Sequence, residues 1–303
     1  MANLDKFHYY LESAGLDKKP HQLEGVEWCL SNEHHGHATG EPDTHSGVVR
    51  GGLIADDMGL GKTIQMIGVM LCNMKDHTLI VLPRALLDQW DNVFRSTLKH
   101  RPLVYHGATK NGISRSMLRN APFVITTYGM IATRGTGLSL LHKVKWNRVV
   151  FDEAHHMRNP KTKIHQGALK VRAKIRWLIT GTPVQNSEND FYGLCDILRI
   201  PTEYYRNPSN RSPIIRAFIL RRTKQEAGIA LPPLRSETTM VQWRHDAERR
   251  FAADIHSRLS FSGLAPHDTQ ALTLAKGVCG DSALVALLRA RQMCVYPSLL
   301  TQI

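Results

Sequence analysis

Between residues 52 and 180 the chain alternates two kinds of segment, and this alternation limits the fold more than any other feature. Short apolar runs rich in β-branched residues occur at 52–55, 79–82, 103–106, 123–127, 148–151 and 177–180. Helix-like stretches at 63–74, 85–98, 114–119 and 164–171 separate several of them. Parallel strands need a crossover of a dozen or so residues, usually a helix. The pattern therefore predicts an α/β fold, a parallel sheet with helices on both faces. Ligands of such sheets bind at the carboxyl ends of the strands.

The flanks are less regular. Residues 1–20 read as a short helix ending near Lys18-Lys19-Pro20. Residues 31–47 are polar and rich in Gly and His, which predicts a loop. His34, His35, His37 and His45 have no cysteine or second ligand cluster beside them, so a loop is favoured over a metal site. A change comes near residue 200, where 201–213 hold three prolines, and Leu231-Pro232-Pro233-Leu234 marks a break. Helices are expected over 245–260 and 281–295. The boundaries suggested are 1–46, 47–235 and 236–303.

The 42% hydrophobic content is enough for a sizeable core and excludes general disorder. No apolar run approaches the roughly 20 residues of a membrane span, and MANLDKFHYY has no signal-peptide core. The cysteines at 29, 72, 195, 279 and 294 are odd in number, scattered and without a CxxC pair. A disulfide framework or cysteine zinc module is excluded, and a reducing compartment fits. The expectation is a chain neither secreted nor membrane-bound.

Charge is distributed unevenly. Residues 92–187 hold 17 Lys and Arg against two acids, a window of +15 in a chain whose net charge is +13. A basic field of that size attracts polyanions, nucleic acid above all. The two acids are adjacent, Asp152 and Glu153. An acidic pair inside such a field suggests a divalent metal carrying a phosphate.

Three strand ends carry the chemistry. GLIADDMGLGKT (52–63) runs from a strand through a glycine turn into an uncharged helix. Backbone N–H groups at that helix start can cradle phosphates, Lys62 can reach the β- and γ-phosphates, and the Thr63 hydroxyl can ligate Mg²⁺. The strict eight-residue phosphate-loop pattern has Gly where this chain has Asp56, so the loop is a variant. VVFDEAH (149–155) ends an apolar strand in two carboxylates. Asp152 is suited to hold Mg²⁺, usually through water, and Glu153 to orient and deprotonate the attacking water. His155 and His156 read as coupling or packing residues. LITGTP (178–183) ends a third strand, and in this order Thr180, Gly181 and Thr182 read as a γ-phosphate sensor.

Together these motifs resemble the helicase-like ATPases of the Swi/Snf type. The resemblance runs nearly continuously from about Pro20 to Leu234. It takes in PHQLEGVEW (20–28), ADDMGLGKT, LIVLPRALLDQW (79–90), VITTYGMI (124–131), DEAHHMRNPKTK (152–163), LITGTPVQN, FILRRTK (218–224) and LPPL. LLRARQMCVYPSLL at the end resembles the segment that precedes the family's second motor lobe. The resemblance implies a RecA-like ATP-binding lobe over 47–235. Before it come an N-terminal helix, an adenine-reading segment and the His-rich loop, and after it a mainly helical linker. It implies Gln22 as adenine partner and Asp57, Met58, Gly59, Leu60, Gly61, Lys62 and Thr63 around ATP with Mg²⁺. Arg84, Thr126, Thr127, Tyr128, Arg158, Asn159 and Lys161 would contact the backbone of double-stranded DNA, giving little sequence preference. Nothing here matches QxxxRxxRxGQ, the family's second-lobe motif, so a second RecA-like lobe in a longer parent chain is expected. A DNA-bound complex such as a nucleosome or polymerase is an implied partner. The implied location is the nucleus or another DNA-containing reducing compartment, including a viral replication site.

Overall fold

Side-chain period decides which face of each strand is covered by which helices. The computed structural model describes residues 4–39, 47–96, 99–133, 137–182, 188–230, 235–237, 239, 242–243, 245–259 and 283–295. The chain divides into two compact units, Met1–Leu231 and Pro232–Ile303.

The first unit opens with α1 (Asp5–Ser13) and α2 (Pro20–His34), followed by a small antiparallel pair, β1 (His37–Ala38) and β2 (Val48–Val49). The alternation then appears as β3 (Gly51–Ile54), α3 (Lys62–Cys72), β4 (Thr78–Leu82), α4 (Leu87–Ser96), β5 (Leu103–Tyr105), α5 (Arg115–Asn120) and β6 (Phe123–Thr127). It continues through α6 (Tyr128–Ile131), β7 (Lys145–Asp152), α7 (Lys163–Lys170) and β8 (Arg172–Ile179). The unit closes with α8 (Glu188–Leu198), α9 (Thr202–Arg206), α10 (Arg211–Phe218) and β9 (Ile219–Leu220). The seven strands from β3 to β9 form one parallel sheet in the order β5-β6-β4-β7-β8-β3-β9.

Alternate residues of each central strand serve opposite cores. Leu53, Leu79, Val81, Val124, Val149, Phe151 and Leu178 face one core with Ala168 of α7, Leu194 of α8 and Ile214 of α10. Ile54, Ile80, Ile125, Val150, Trp177 and Ile179 face the other with Phe7, Val26, Met66, Trp90 and Phe94 of α1 to α4. Burial on both faces is why these strands read as continuous apolar runs.

Two readings of the flanks change. Pro20 starts a helix, at the first-turn position where its missing N–H costs nothing, and the helix before it stops at Ser13. Regular structure reaches into the stretch 31–47 from both sides: α2 extends to His34, and His37–Ala38 pairs with Val48–Val49. Pro208 and Pro213 likewise sit in first turns, so 201–213 is largely helical. The Leu231–Leu234 break, His45 and Pro183–Asn186 lie outside the described residues.

In the second unit, α11 (Asp246–His256) packs on α12 (Ala283–Val295) through Ala252, Ile255, Ala286, Ala290 and Met293. No described helix is long and apolar enough to cross a membrane.

Candidate nucleotide and nucleic-acid site

Strand order gathers the motifs. After β3 the chain crosses to β4, goes out to the edge at β5, comes back through β6, and then inserts β7 and β8 between β4 and β3. Asp152, at the end of β7, therefore lies in register with Ile179 of β8, which in turn pairs with Ile54 of β3. The carboxyl ends of the three motif-bearing strands thus stand side by side. Thr180 is tied to the first of them by its N–H, which donates to Ile54 O at 3.1 Å.

The glycine turn after β3 is shaped by two left-handed residues, Gly59 (φ +93°) and Gly61 (φ +80°). Gly61 is the N-cap of α3, and a Cβ there would also collide with the Gln22 amide. Gln22 Nε2 donates to Leu60 O at 3.2 Å, and the His21 ring nitrogen lies 3.1 Å from the same oxygen. The Gln22 side chain is thus spent on the loop's backbone. Lys62 Nζ donates to Asp56 O (2.7 Å) and Asp57 O (3.1 Å). Burial holds its pKa below the usual lysine value, opposed by the charges of Glu153, Asp56, Asp152 and Asp57. A Cβ on Gly181 would sit 3.5 Å from Lys62 Nζ, so the third motif lies against the first. Thr63 is the second residue of α3, Leu60 is buried and Met58 is exposed.

Asp152 is buried. Its Oδ2 accepts from Trp90 Nε1 at 2.7 Å and its Oδ1 from the Glu153 N–H at 3.0 Å. Burial raises its pKa, the Trp90 hydrogen bond lowers it and the neighbouring Glu153 raises it. Tyr128 Oη donates to Asp152 O at 2.6 Å. Glu153 has left-handed backbone (φ +52°, ψ +51°), unusual for a residue with a Cβ. That twist brings Glu153 Oε2 within 3.2 Å of His155 Nδ1, which also lies 3.2 Å from Thr180 Oγ1. His155 therefore touches both the acidic pair and the third motif. Thr180 Oγ1 in turn accepts from the Thr182 N–H.

Two residues were not singled out by sequence reasoning. Trp90 closes LIVLPRALLDQW, and only α4's packing shows its indole on Asp152. Arg222 lies in FILRRTK, and the structure delivers it to Asp56. Its N–H, Nε and Nη2 all donate to that carboxylate, and Nη2 also reaches Gln65 Oε1. The variant Asp of the phosphate loop is thereby accounted for: it is the buried acceptor that stitches the loop to the strand exit beyond β9. Asp57 points the same way, accepting the Lys224 N–H at its Oδ2 (3.2 Å).

The residues expected to meet DNA are divided. Arg84 is exposed just beyond β4. Asn159 and Lys161 are exposed before α7, where Asn159 Oδ1 accepts the Lys161 N–H, and Arg158 is half-buried 3.9 Å from Asp190. Thr126, Thr127 and Tyr128 are instead buried. Their hydroxyls bond internally, to Tyr105 O, the His106 ring and Asp152 O. They support this edge of the sheet and are not presented on it. Among the described residues no group of three His, Cys, Asp or Glu is placed to hold a metal.

The geometry agrees with the family comparison: the SNF2-related domain matches residues 21–210. The chain belongs to this family. A probable global transactivator of Orgyia pseudotsugata multicapsid polyhedrosis virus is 30% identical across 92% of this SNF2-related chain and 56% of its own length. An uncharacterized ATP-dependent helicase of Schizosaccharomyces pombe is 28% identical over 92% of this chain and 30% of its own. The DNA excision repair protein ERCC-6-like of Danio rerio is 32% identical over 68% and 16%. The chain thus spans between a sixth and just over half the length of these SNF2-type relatives. In fold it is similar to the Sulfolobus solfataricus SWI2/SNF2 ATPase core in complex with dsDNA, with a TM-score of 0.57 and 23% identity over 94% of this chain and 60% of that one.

Proposed function

We propose that the chain is the ATP-binding lobe of a DNA-dependent ATPase that uses hydrolysis to move along or remodel complexes of double-stranded DNA. The reading rests above all on one observation: strand order brings Lys62, the Asp152–Glu153 pair and Thr180-Gly181 to one edge of the sheet.

The residues fit Mg·ATP. The turn from Gly59 to Thr63 offers N–H groups at the start of an eleven-residue helix, which favours anions. Lys62 binds the triphosphate, and Thr63 and Asp152 are the residues that would hold Mg²⁺. When bound, the ion neutralises charge on the transferring phosphoryl group. Glu153 orients the attacking water and takes its proton. His155 carries the state of Glu153 to Thr180. Gln22 reads the base after giving up its hydrogen bond to Leu60 O, so adenine recognition and loop geometry are linked. Exposed Arg84, Asn159 and Lys161, with Arg158 behind them, contact phosphates of the duplex, and Thr126, Thr127 and Tyr128 fix the surface from beneath.

A second reading, a nucleotide-gated DNA-binding module with little hydrolysis of its own, is favoured by Arg222. This arginine is adjacent to the phosphate loop but fully engaged by Asp56, so it is not free to serve as an arginine finger. Such fingers are worth about 10³–10⁵ in rate. Residues 1–303 should therefore bind ATP and turn it over slowly. Partners beyond DNA, such as a nucleosome or polymerase, and a nuclear or viral-replication location follow from the same proposal.

The test is fluorescent ATP-analogue binding together with steady-state hydrolysis. Lys62→Ala should lose binding, whereas Glu153→Gln should keep Mg·ATP and lose turnover. Unchanged analogue affinity in Lys62→Ala would overturn the assignment of the loop.

A further inference from the structure

The opposite edge of the sheet carries a second concentration of positive charge that the nucleotide chemistry does not use. Lys145 opens β7 and Arg172 opens β8, and the two are register partners. His77 directly precedes β4, and Arg115, Arg119 and Lys143 approach from α5 and the turn before β7. These six side chains, with Val144, line a cavity of about 250 Å³. β7 is eight residues long, so Asp152 lies about 23 Å from the Lys145 end at ~3.3 Å per residue. The cavity is therefore separate from the ATP site and from the exposed residues proposed to meet DNA.

Several observations point to an occupant. No acidic side chain lines the cavity. Among the described residues none of its five Lys and Arg lies within 4.0 Å of a carboxylate, although seven such pairs occur elsewhere among them. Like charges on directly neighbouring strand positions destabilise a sheet, and Lys145 beside Arg172 is such a pair. The His77 Nδ1 is buried with no hydrogen-bond partner, and its backbone is left-handed (φ +59°). Arg115 is held in place by its Nη2, which donates to Lys143 O at 2.8 Å.

We infer that this cavity is a second phosphate-binding site. Three arginines supply planar forks that match phosphate oxygens two at a time, and the lysines add point charges. The volume is below the roughly 300–1,000 Å³ of sites for drug-sized ligands. No aromatic ring other than His77 is available to stack a base. The ligand is therefore the phosphate itself, delivered either as a free oligophosphate or as the backbone of a nucleic-acid segment. The inference stands apart from the ATP reading and survives its failure.

The probes are inorganic tripolyphosphate and a random-sequence duplex, titrated calorimetrically into the full chain. Lys62→Ala is the background, so that the nucleotide loop does not respond to tripolyphosphate. The test variant adds Lys145→Gln and Arg172→Gln. Both residues are exposed and mutually repulsive, so the variant should fold, with a melting temperature in phosphate-free buffer equal to or above that of its parent. We expect tripolyphosphate affinity to fall at least about tenfold, as expected when two charge-assisted contacts are lost. If the duplex is the source, its salt-dependence slope should fall by about 2. Loss of tripolyphosphate alone identifies a free oligophosphate, and loss of both identifies nucleic-acid backbone. Unchanged affinity for both probes in the folded variant overturns the site. Arg119→Gln, on the exposed face of α5, gives a smaller loss in the same direction if the site is real.

Discussion

Arg222 grips Asp56 with both sides of its guanidinium, Nε to Oδ1 at 3.1 Å and Nη2 to Oδ2 at 2.6 Å, and with its backbone N–H at 3.0 Å. The Asp56 side chain is fully buried, and Arg222 is nearly so. A carboxylate has replaced glycine at the head of the phosphate loop, and its partner comes from the segment that leaves the sheet. Loop and exit strand are therefore one structural unit, joined further by the Asp57 N–H to Arg222 O and the Ala55 N–H to Leu220 O.

Arg222→Met should leave a buried charge unpaired and cost about 3–5 kcal/mol. Asp56→Asn combined with Arg222→Met should recover much of that loss, because both charges are then gone. Urea unfolding followed by tryptophan fluorescence provides the double-mutant cycle. A loss below about 1 kcal/mol in Arg222→Met, the range of exposed pairs, would mean that the stitch contributes little.

Trp90→Phe removes the indole donor from Asp152 and should cost about 1.5–3 kcal/mol, the range for hydrogen bonds to charged groups. That donor lowers the Asp152 pKa. Its loss leaves the carboxylate protonated to higher pH, so the acid limb of Mg²⁺-dependent hydrolysis should move upward. A pH–rate profile that superimposes on wild type would separate Trp90 from the metal ligand.

Burial raises the Asp152 pKa above its unfolded value. Between those two values the native state binds more protons than the unfolded chain, so this group's contribution to stability falls as pH rises through the window. Asp152→Asn removes that loss and can still accept from Trp90. Its melting temperature at neutral pH should equal or exceed wild type, with hydrolysis abolished. A large drop in melting temperature would show that the negative charge itself is structural.

Glu153 holds a left-handed backbone that costs about 1–2 kcal/mol for a residue with a Cβ. Glu153→Gly should therefore gain stability of about that size, while Glu153→Gln, with the same backbone cost, should not. Both should be inactive. Equal stability of the two variants would mean that the twist carries no strain.

Arg84→Ala with Lys161→Ala removes two exposed cations at the carboxyl edge and should lower the salt slope of duplex binding by about 2. Arg158→Ala should lower stability as well, because Arg158 also faces Asp190. Duplex affinity that does not change with salt would rule out this edge as the phosphate-contacting surface.

The sequence by itself determined the alternation, the parallel sheet and the position of each motif at a strand end. These are local properties: an apolar run, a glycine turn and a helix period are visible within a dozen residues. What only the tertiary structure decided are pairings across long separations. Trp90 finds Asp152 across 62 residues, and Arg222 finds Asp56 across 166. The first requires β7 to return beside β4 and the second requires β9 to return beside β3, an order that no local pattern encodes. Burial of Thr126, Thr127 and Tyr128 was hidden for the same reason, since a hydroxyl at a strand end looks identical whether its partner is solvent or Tyr105 O. The basic cavity belongs to this class too. Its cations are spread from Arg115 to Arg172, and they converge because parallel strands align their amino ends.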